Sequence, residues 1–151
     1  TAERMTRFVL EMTRACADAI GPERIAMRLS PAAYLHEIRQ DIKDKDVFKY
    51  LFEELNKMGL AYLHTGAFDD AVTYPELEGL SMTGFMRKYY TGHLVASGSY
   101  TAATAEQALM TGQADAIAFG RAFISNPDLV ERIAAQREWV AYDNSMLDSL
   151  Y

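Results

Sequence analysis

Asp115–Leu129, DAIAFGRAFISNPDL, holds the most informative pattern in the chain. Ala116 to Phe119 are apolar throughout, which predicts a short parallel strand over Asp115–Phe119 buried on both faces. Gly120 and Arg121 follow at once, and Asn126-Pro127-Asp128 predicts the opening of a helix over 126–135. A glycine at a strand's C-terminal end lets backbone approach a ligand, and free N–H groups beyond it favour an anion. Arg121 adds a permanent positive charge with forked donors that match phosphate geometry. The pattern also occurs upstream, where Leu94-Val95-Ala96-Ser97 runs into Gly98-Ser99 and then a helix from Thr101. Taken singly, each glycine makes either a tight turn or a close approach to a ligand. The two together, with Arg121, favour a phosphate held between successive strand ends.

The flanking sequence alternates strands and helices. Phe8, Val9, Met12, Cys16, Ala19 and Ile20 recur at helical spacing and predict a helix over Glu3–Ile20, ended by Gly21-Pro22. Arg24–Ser30 predicts a strand stopped by Pro31, with Arg24 at its exposed start. Arg28 sits near the strand's end between Met27 and Leu29, and a half-buried arginine there needs an acceptor. That acceptor is either a neighbouring carboxylate or a ligand, and the strand end favours the ligand. Ala32–Lys45 is a connection carrying Tyr34 and His36. A helix over Val47–Met58, a strand over Leu60–His64 and a long loop over Thr65–Leu77 follow. His64 is expected as a hydrogen-bonded wall residue rather than a metal ligand, because no second histidine stands at ligand spacing. In the loop, Phe68 and Tyr74 either line a pocket or cover the mouth of the sheet. A helix over Ser81–Thr91, a strand over His93–Ser97 and a helix over Thr101–Met110 capped by Thr101 lead back to Asp115. Arg137–Tyr151 is expected to be irregular and holds Trp139. One helix followed by four strand–helix units makes an α/β protein with a parallel sheet and outer helices.

Composition narrows the function classes. With 151 residues, half of them hydrophobic and 24% charged, the chain reads as globular. A net charge of −6 without a basic block argues against nucleic acid or an anionic membrane as the main partner. Cys16, the single cysteine, excludes an internal disulfide and an all-cysteine zinc site. Its place on the apolar side of the first helix predicts a buried, inert thiol. No metal site is expected. No apolar run reaches membrane-spanning length and no secretory signal is visible, so the expected location is cytoplasmic.

Four segments together resemble a known family. Arg24-Ile25-Ala26-Met27-Arg28-Leu29-Ser30-Pro31, Ala61-Tyr62-Leu63-His64, Met86-Arg87-Lys88-Tyr89-Tyr90 with Gly92, and Ala114-Asp115 through Pro127-Asp128-Leu129 stand in order and at the spacing of the old yellow enzymes. These are NADH:flavin oxidoreductases, and the segments are most similar to the 12-oxophytodienoate reductase and N-ethylmaleimide reductase branch. The resemblance implies the C-terminal half of a (β/α)8 TIM barrel, with residues 1–151 forming one partial domain. It implies FMN as cofactor and, in a complete barrel, hydride transfer from NAD(P)H to activated alkenes such as enones or oxylipin-like substrates. By position, Arg28 would meet the N1/C2=O edge of the flavin, while Ser97, Gly98, Ser99, Gly120 and Arg121 would bind the cofactor around its phosphate. Tyr151 would line the substrate pocket, with Leu150 standing where the family has phenylalanine. The family's carbonyl-binding pair and tyrosine proton donor lie in its first half, so no catalytic residue is assigned to this chain.

Other departures are Glu3-Arg4-Met5 for the usual Glu-Asn-Arg and Thr65-Gly66 after the second strand. Four parallel strands leave two edges that a closed barrel lacks. A missing N-terminal half-barrel or a second copy is therefore the expected partner. The alternative is a non-catalytic half-barrel that keeps a phosphate or nucleotide site, or only an assembly surface.

Overall fold

Four short strands form one parallel sheet in the order β1-β2-β3-β4: β1 (Ala26–Leu29), β2 (Tyr62–Thr65), β3 (Leu94–Ser97) and β4 (Ala116–Ala118). The computed structural model describes residues 1–32, 38 and 41–148. Tyr34 and His36, in the connection after β1, and Tyr151 lie outside the described residues. Arg28 pairs with His64 across β1 and β2, and Ser97 pairs with Ala118 across β3 and β4. The register therefore aligns the C-terminal ends of all four strands on one rim, where the candidate residues gather. Among the described residues the outer edges of β1 and β4 pair with nothing.

The helices are α1 (Ala2–Ile20), α2 (Asp44–Leu55), α3 (Met82–Tyr89), α4 (Ala102–Met110), α5 (Arg121–Ser125) and α6 (Leu129–Ala134). The core lies between the sheet and α2 and α3, where Phe52, Leu55, Leu63, Phe85, Met86 and Leu94 are fully buried. Phe52 and Phe85 meet edge to face at 6.2 Å between ring centres, a favoured aromatic geometry. Along β2, Leu63 and Thr65 face this core, while Tyr62 on the opposite face is 40% exposed. Capping follows the sequence closely. The Ser81 hydroxyl accepts the Gly84 N–H at the start of α3, and Thr101 and Thr104 form a reciprocal cap on α4.

Three expectations are corrected. The apolar stripe of α1 is not its buried face. The helix packs on α2 through Thr6, Leu10 and Thr13, while Phe8 is 76% exposed and Met12, Cys16 and Ile20 are exposed as well. Thr6 and Thr13 can be buried because each hydroxyl donates to the carbonyl four residues back, at 2.9 and 2.7 Å. Cys16 is accordingly an exposed thiol. The strand expected to be buried on both faces is an edge strand with Ala116 exposed, since β3 covers only one side of it. Finally, the helix predicted over 126–135 is confined to Leu129–Ala134, and a short helix that was not expected precedes it. α5 starts directly after Gly120, Asn126 is extended (φ −139°) ahead of Pro127, and α6 begins at Leu129. Proline disfavours helical backbone in the residue before it, which places the break at Asn126.

Candidate functional site

A cavity of about 570 Å³ opens at the rim formed by the strand ends. Arg28, Phe68, Ser97, Gly98, Ser99, Gly120 and Arg121 line it, with Trp139 to Tyr142 on a further wall. Its size falls within the usual range for cofactor sites, about 300–1,000 Å³. The two glycine turns singled out in the sequence thus share one cavity. Tyr74 does not line it: its ring packs on the core, and its backbone bridges to Leu80.

The turn after β3 has an uncommon backbone. Gly98 has φ +133°, and Ser99 has φ +56°, which for a residue with a side chain costs about 1 kcal/mol. A Cβ on Gly98 would lie 2.7 Å from the backbone nitrogen of Asp70, so glycine is required there for space as well as for backbone angle. Gly120 differs: a Cβ there would meet nothing within 4 Å and would project into open space. Among the described residues, the backbone N–H groups of Gly98, Ser99, Gly120 and Arg121 find no protein acceptor.

Arg121 is half-buried and held from several sides. Its Nη2 donates to the Ser99 hydroxyl at 2.7 Å and to the Phe68 carbonyl at 3.1 Å. The guanidinium also lies 4.3 Å from the centre of the Phe68 ring. Ser99 donates in turn to the Phe68 carbonyl at 3.0 Å. The loop after β2 therefore locks Arg121 between the ends of β3 and β4. No carboxylate among the described residues pairs with it, so its charge is available to an anion. The Ser97 hydroxyl is already committed to the carbonyl of Thr65.

Arg28 is exposed rather than half-buried. Neither a hydrogen bond nor an ion pair engages it among the described residues. Beside it, the Nε2 atom of His64 is buried without a partner among the described residues, contrary to the expected hydrogen-bonded wall residue. Burial first, and then the positive charge of Arg28, lower the His64 pKa, so the ring stays neutral at pH 7.

Two parts of the site escape a reading of the sequence. The first is the wall from Trp139 to Tyr142, which Asn126 fastens. The buried Asn126 side chain accepts the Val140 N–H at 2.7 Å and donates to the Val140 carbonyl at 3.0 Å. The ring of Trp139 stands edge-on to Phe119 at 5.6 Å. An Asn-Pro pair followed by a tryptophan was the available signal, but it reads equally well as a helix start. The second is Asp70, buried behind the Gly98 turn; nothing in its local sequence marks it.

Comparison with known proteins gives the family and the fold of the chain. The model of the NADH:flavin oxidoreductase / NADH oxidase family matches residues 1–139. Rice (Oryza sativa subsp. japonica) 12-oxophytodienoate reductase 7 is 37% identical over 142 residues, covering 83% of this chain and 35% of the rice protein. Among solved structures, morphinone reductase in complex with tetrahydroNAD superposes with a TM-score of 0.80 at 37% identity, covering 97% of this chain and 38% of that one. The old yellow enzyme from Trypanosoma cruzi gives a TM-score of 0.84 at 26% identity, with 97% and 37% coverage. The chain thus spans little more than a third of the length of the proteins it matches. Its four strands and their helices are part of a TIM barrel.

Proposed function

Because the chain belongs to the NADH:flavin oxidoreductase / NADH oxidase family, whose cofactor is FMN, we propose that it is the phosphate- and flavin-gripping part of an FMN-dependent ene-reductase. On this reading residues 1–151 form a single partial domain, the second half of an FMN-binding barrel. One observation carries the reading: a half-buried guanidinium stands in one cavity with the amides of two glycine turns, and among the described residues the guanidinium has no carboxylate partner and the amides no protein acceptor. Such a cluster of donors suits a phosphate dianion. Gly120 fits the same ligand, since it lines the cavity and no protein atom stands within 4 Å of where its Cβ would be.

When bound, FMN would supply the hydride chemistry by which NAD(P)H reduces an activated carbon–carbon double bond. The residues of this chain bind and orient. Gly98, Ser99 and Gly120 donate backbone N–H groups to the phosphate, and Arg121 neutralises it. Ser97 shapes the wall behind them, its hydroxyl tied to Thr65. Arg28, with no hydrogen bond or ion pair among the described residues, would hold a positive charge beside the flavin ring. Phe68 and Tyr151 are assigned to the substrate side, with Phe68 also holding Arg121. Tyr74, packed on the core and outside the cavity lining, is not assigned to the substrate side. No helix among the described residues is long and apolar enough to cross a membrane. The cytoplasm, where NAD(P)H is at hand, is the proposed location.

The edges of β1 and β4, unpaired among the described residues, favour a second reading for the chain on its own: a half-barrel that keeps the phosphate site without turnover. Co-purification with a complementing N-terminal half-barrel decides between them. The ene-reductase reading expects a yellow preparation with one FMN per assembled barrel and enone-dependent oxidation of NAD(P)H. A colourless assembly that fails to retain added FMN would refute it, and retained FMN without turnover would select the second reading.

A further inference from the structure

Behind the Gly98–Ser99 turn sits a carboxylate that the cofactor reading does not use. Asp70 is only 7% exposed, and burying a carboxylate is costly unless its oxygens are satisfied. Both are. Oδ1 accepts the Thr83 N–H at the start of α3 at 3.1 Å, and Oδ2 accepts the Tyr100 hydroxyl at 2.6 Å. The Asp70 backbone N–H donates to the Gly98 carbonyl at 3.1 Å, and the same nitrogen is what a Cβ on Gly98 would strike. Asp70 does not line the main cavity. It lines a smaller one of about 370 Å³ that shares Gly98, Ser99, Tyr100 and Thr101 with the first.

We propose that Asp70 and Tyr100 are positioning residues that set the Gly98–Ser99 turn for a phosphate, an inference that rests on the phosphate reading above. Ser99 adopts a strained backbone (φ +56°) that something outside the turn must hold. Asp70 holds Gly98 through its backbone and Tyr100, directly beyond Ser99, through its side chain, and α3 fixes Asp70 through Thr83. Both Asp70 oxygens meet protein donors behind the turn, and neither lines the main cavity. Burial, with the neighbouring Asp70 charge, pushes the Tyr100 phenol far above its ordinary pKa, so it remains a donor at any working pH.

Tyr100→Phe and Asp70→Asn in the full chain test this. Tyr100→Phe removes one hydroxyl and leaves the ring's packing, and Asp70→Asn keeps the size and one acceptor oxygen. FMN and riboflavin, which differ by the phosphate alone, are titrated against each protein, and amide exchange at residues 98–101 is followed without flavin. The expected result is an FMN affinity lower by about tenfold in each variant, the scale of one charge-assisted hydrogen bond. Riboflavin affinity should stay within about twofold, with faster exchange at 98–101. An FMN-to-riboflavin ratio that matches the unmodified chain overturns the inference and leaves the phosphate reading standing. Equal losses for both flavins, or a changed ratio without faster exchange, overturn it as well. An unmodified chain that binds both flavins equally overturns the phosphate reading itself, and the inference with it.

Discussion

The two glycines of the candidate site make opposite demands. Gly98 combines positive φ with a backbone neighbour at Cβ distance, so Gly98→Ala should cost about 2–3 kcal/mol of stability and lower the melting temperature of the chain. Gly120 has a negative φ and no atom where a methyl would go. Gly120→Ala should leave the melting temperature nearly unchanged while weakening FMN binding at least about tenfold, the cost of displacing one ligand contact in a fixed cradle. Parallel thermal melts and flavin titrations check both. Gly120→Ala that binds FMN normally would remove that residue from the site. Both glycines were legible in the sequence because a strand end, a glycine and a following cation are local features. Asp70 was not, because its partners lie 13 and 30 residues away. Nor was the buried side of α1, where a threonine hydroxyl satisfied within its own helix behaves as an inward-facing group.

Element positions were readable because hydrophobic period, caps and glycine stops all act within a few residues. What joins the elements was not. Arg87 belongs to a segment that carried the family resemblance, yet it works at the N-terminal ends of the strands, away from the cavity. It pairs with Asp115 at 2.7 Å and donates to the carbonyls of Tyr90, Gly92 and Gln113. Asp115 also accepts the Leu94 N–H, so α3, β3 and β4 are stapled together. That end of such a sheet bears on stability, and Arg87→Ala should cost about 2 kcal/mol in a denaturant melt without altering the ratio of FMN to riboflavin affinity. The Leu94 N–H first, and then Arg87, hold the Asp115 pKa below its ordinary value. A carboxylate depressed in the folded state stabilises above its unfolded pKa, and that stability is lost as pH falls through the folded value. The Asp115 side chain is 49% exposed, so solvent screens the effect. Asp115→Asn should therefore flatten the acid limb of a stability-against-pH curve only slightly, and an unchanged limb would deny the linkage. At the other end, Asn126→Ala should cost about 2 kcal/mol and release the Trp139–Tyr142 wall, read as faster amide exchange at Val140.

At the scale of the whole molecule, the exposed surfaces match the unpaired edges of the sheet. α1 exposes Met5, Phe8, Met12 and Ile20, and a groove of about 810 Å³ near β4 is lined by Leu109, Met110, Ile117, Phe119, Ile133 and Trp139. Apolar surface on that scale, together with free strand edges, favours association. The isolated chain should sediment as a dimer or larger species, and a monodisperse, cooperatively melting monomer would contradict this. The resemblance carried by four short segments had already implied an incomplete barrel; the sequence could not indicate which helix face would be left uncovered. The account rests most heavily on Arg121 as the phosphate's counter-charge, and one titration tests it directly. FMN and riboflavin are bound to the chain and to its Arg121→Ala variant. The account predicts that the unmodified chain prefers FMN and that the variant loses most of that preference. Equal FMN affinity in the two proteins would contradict it.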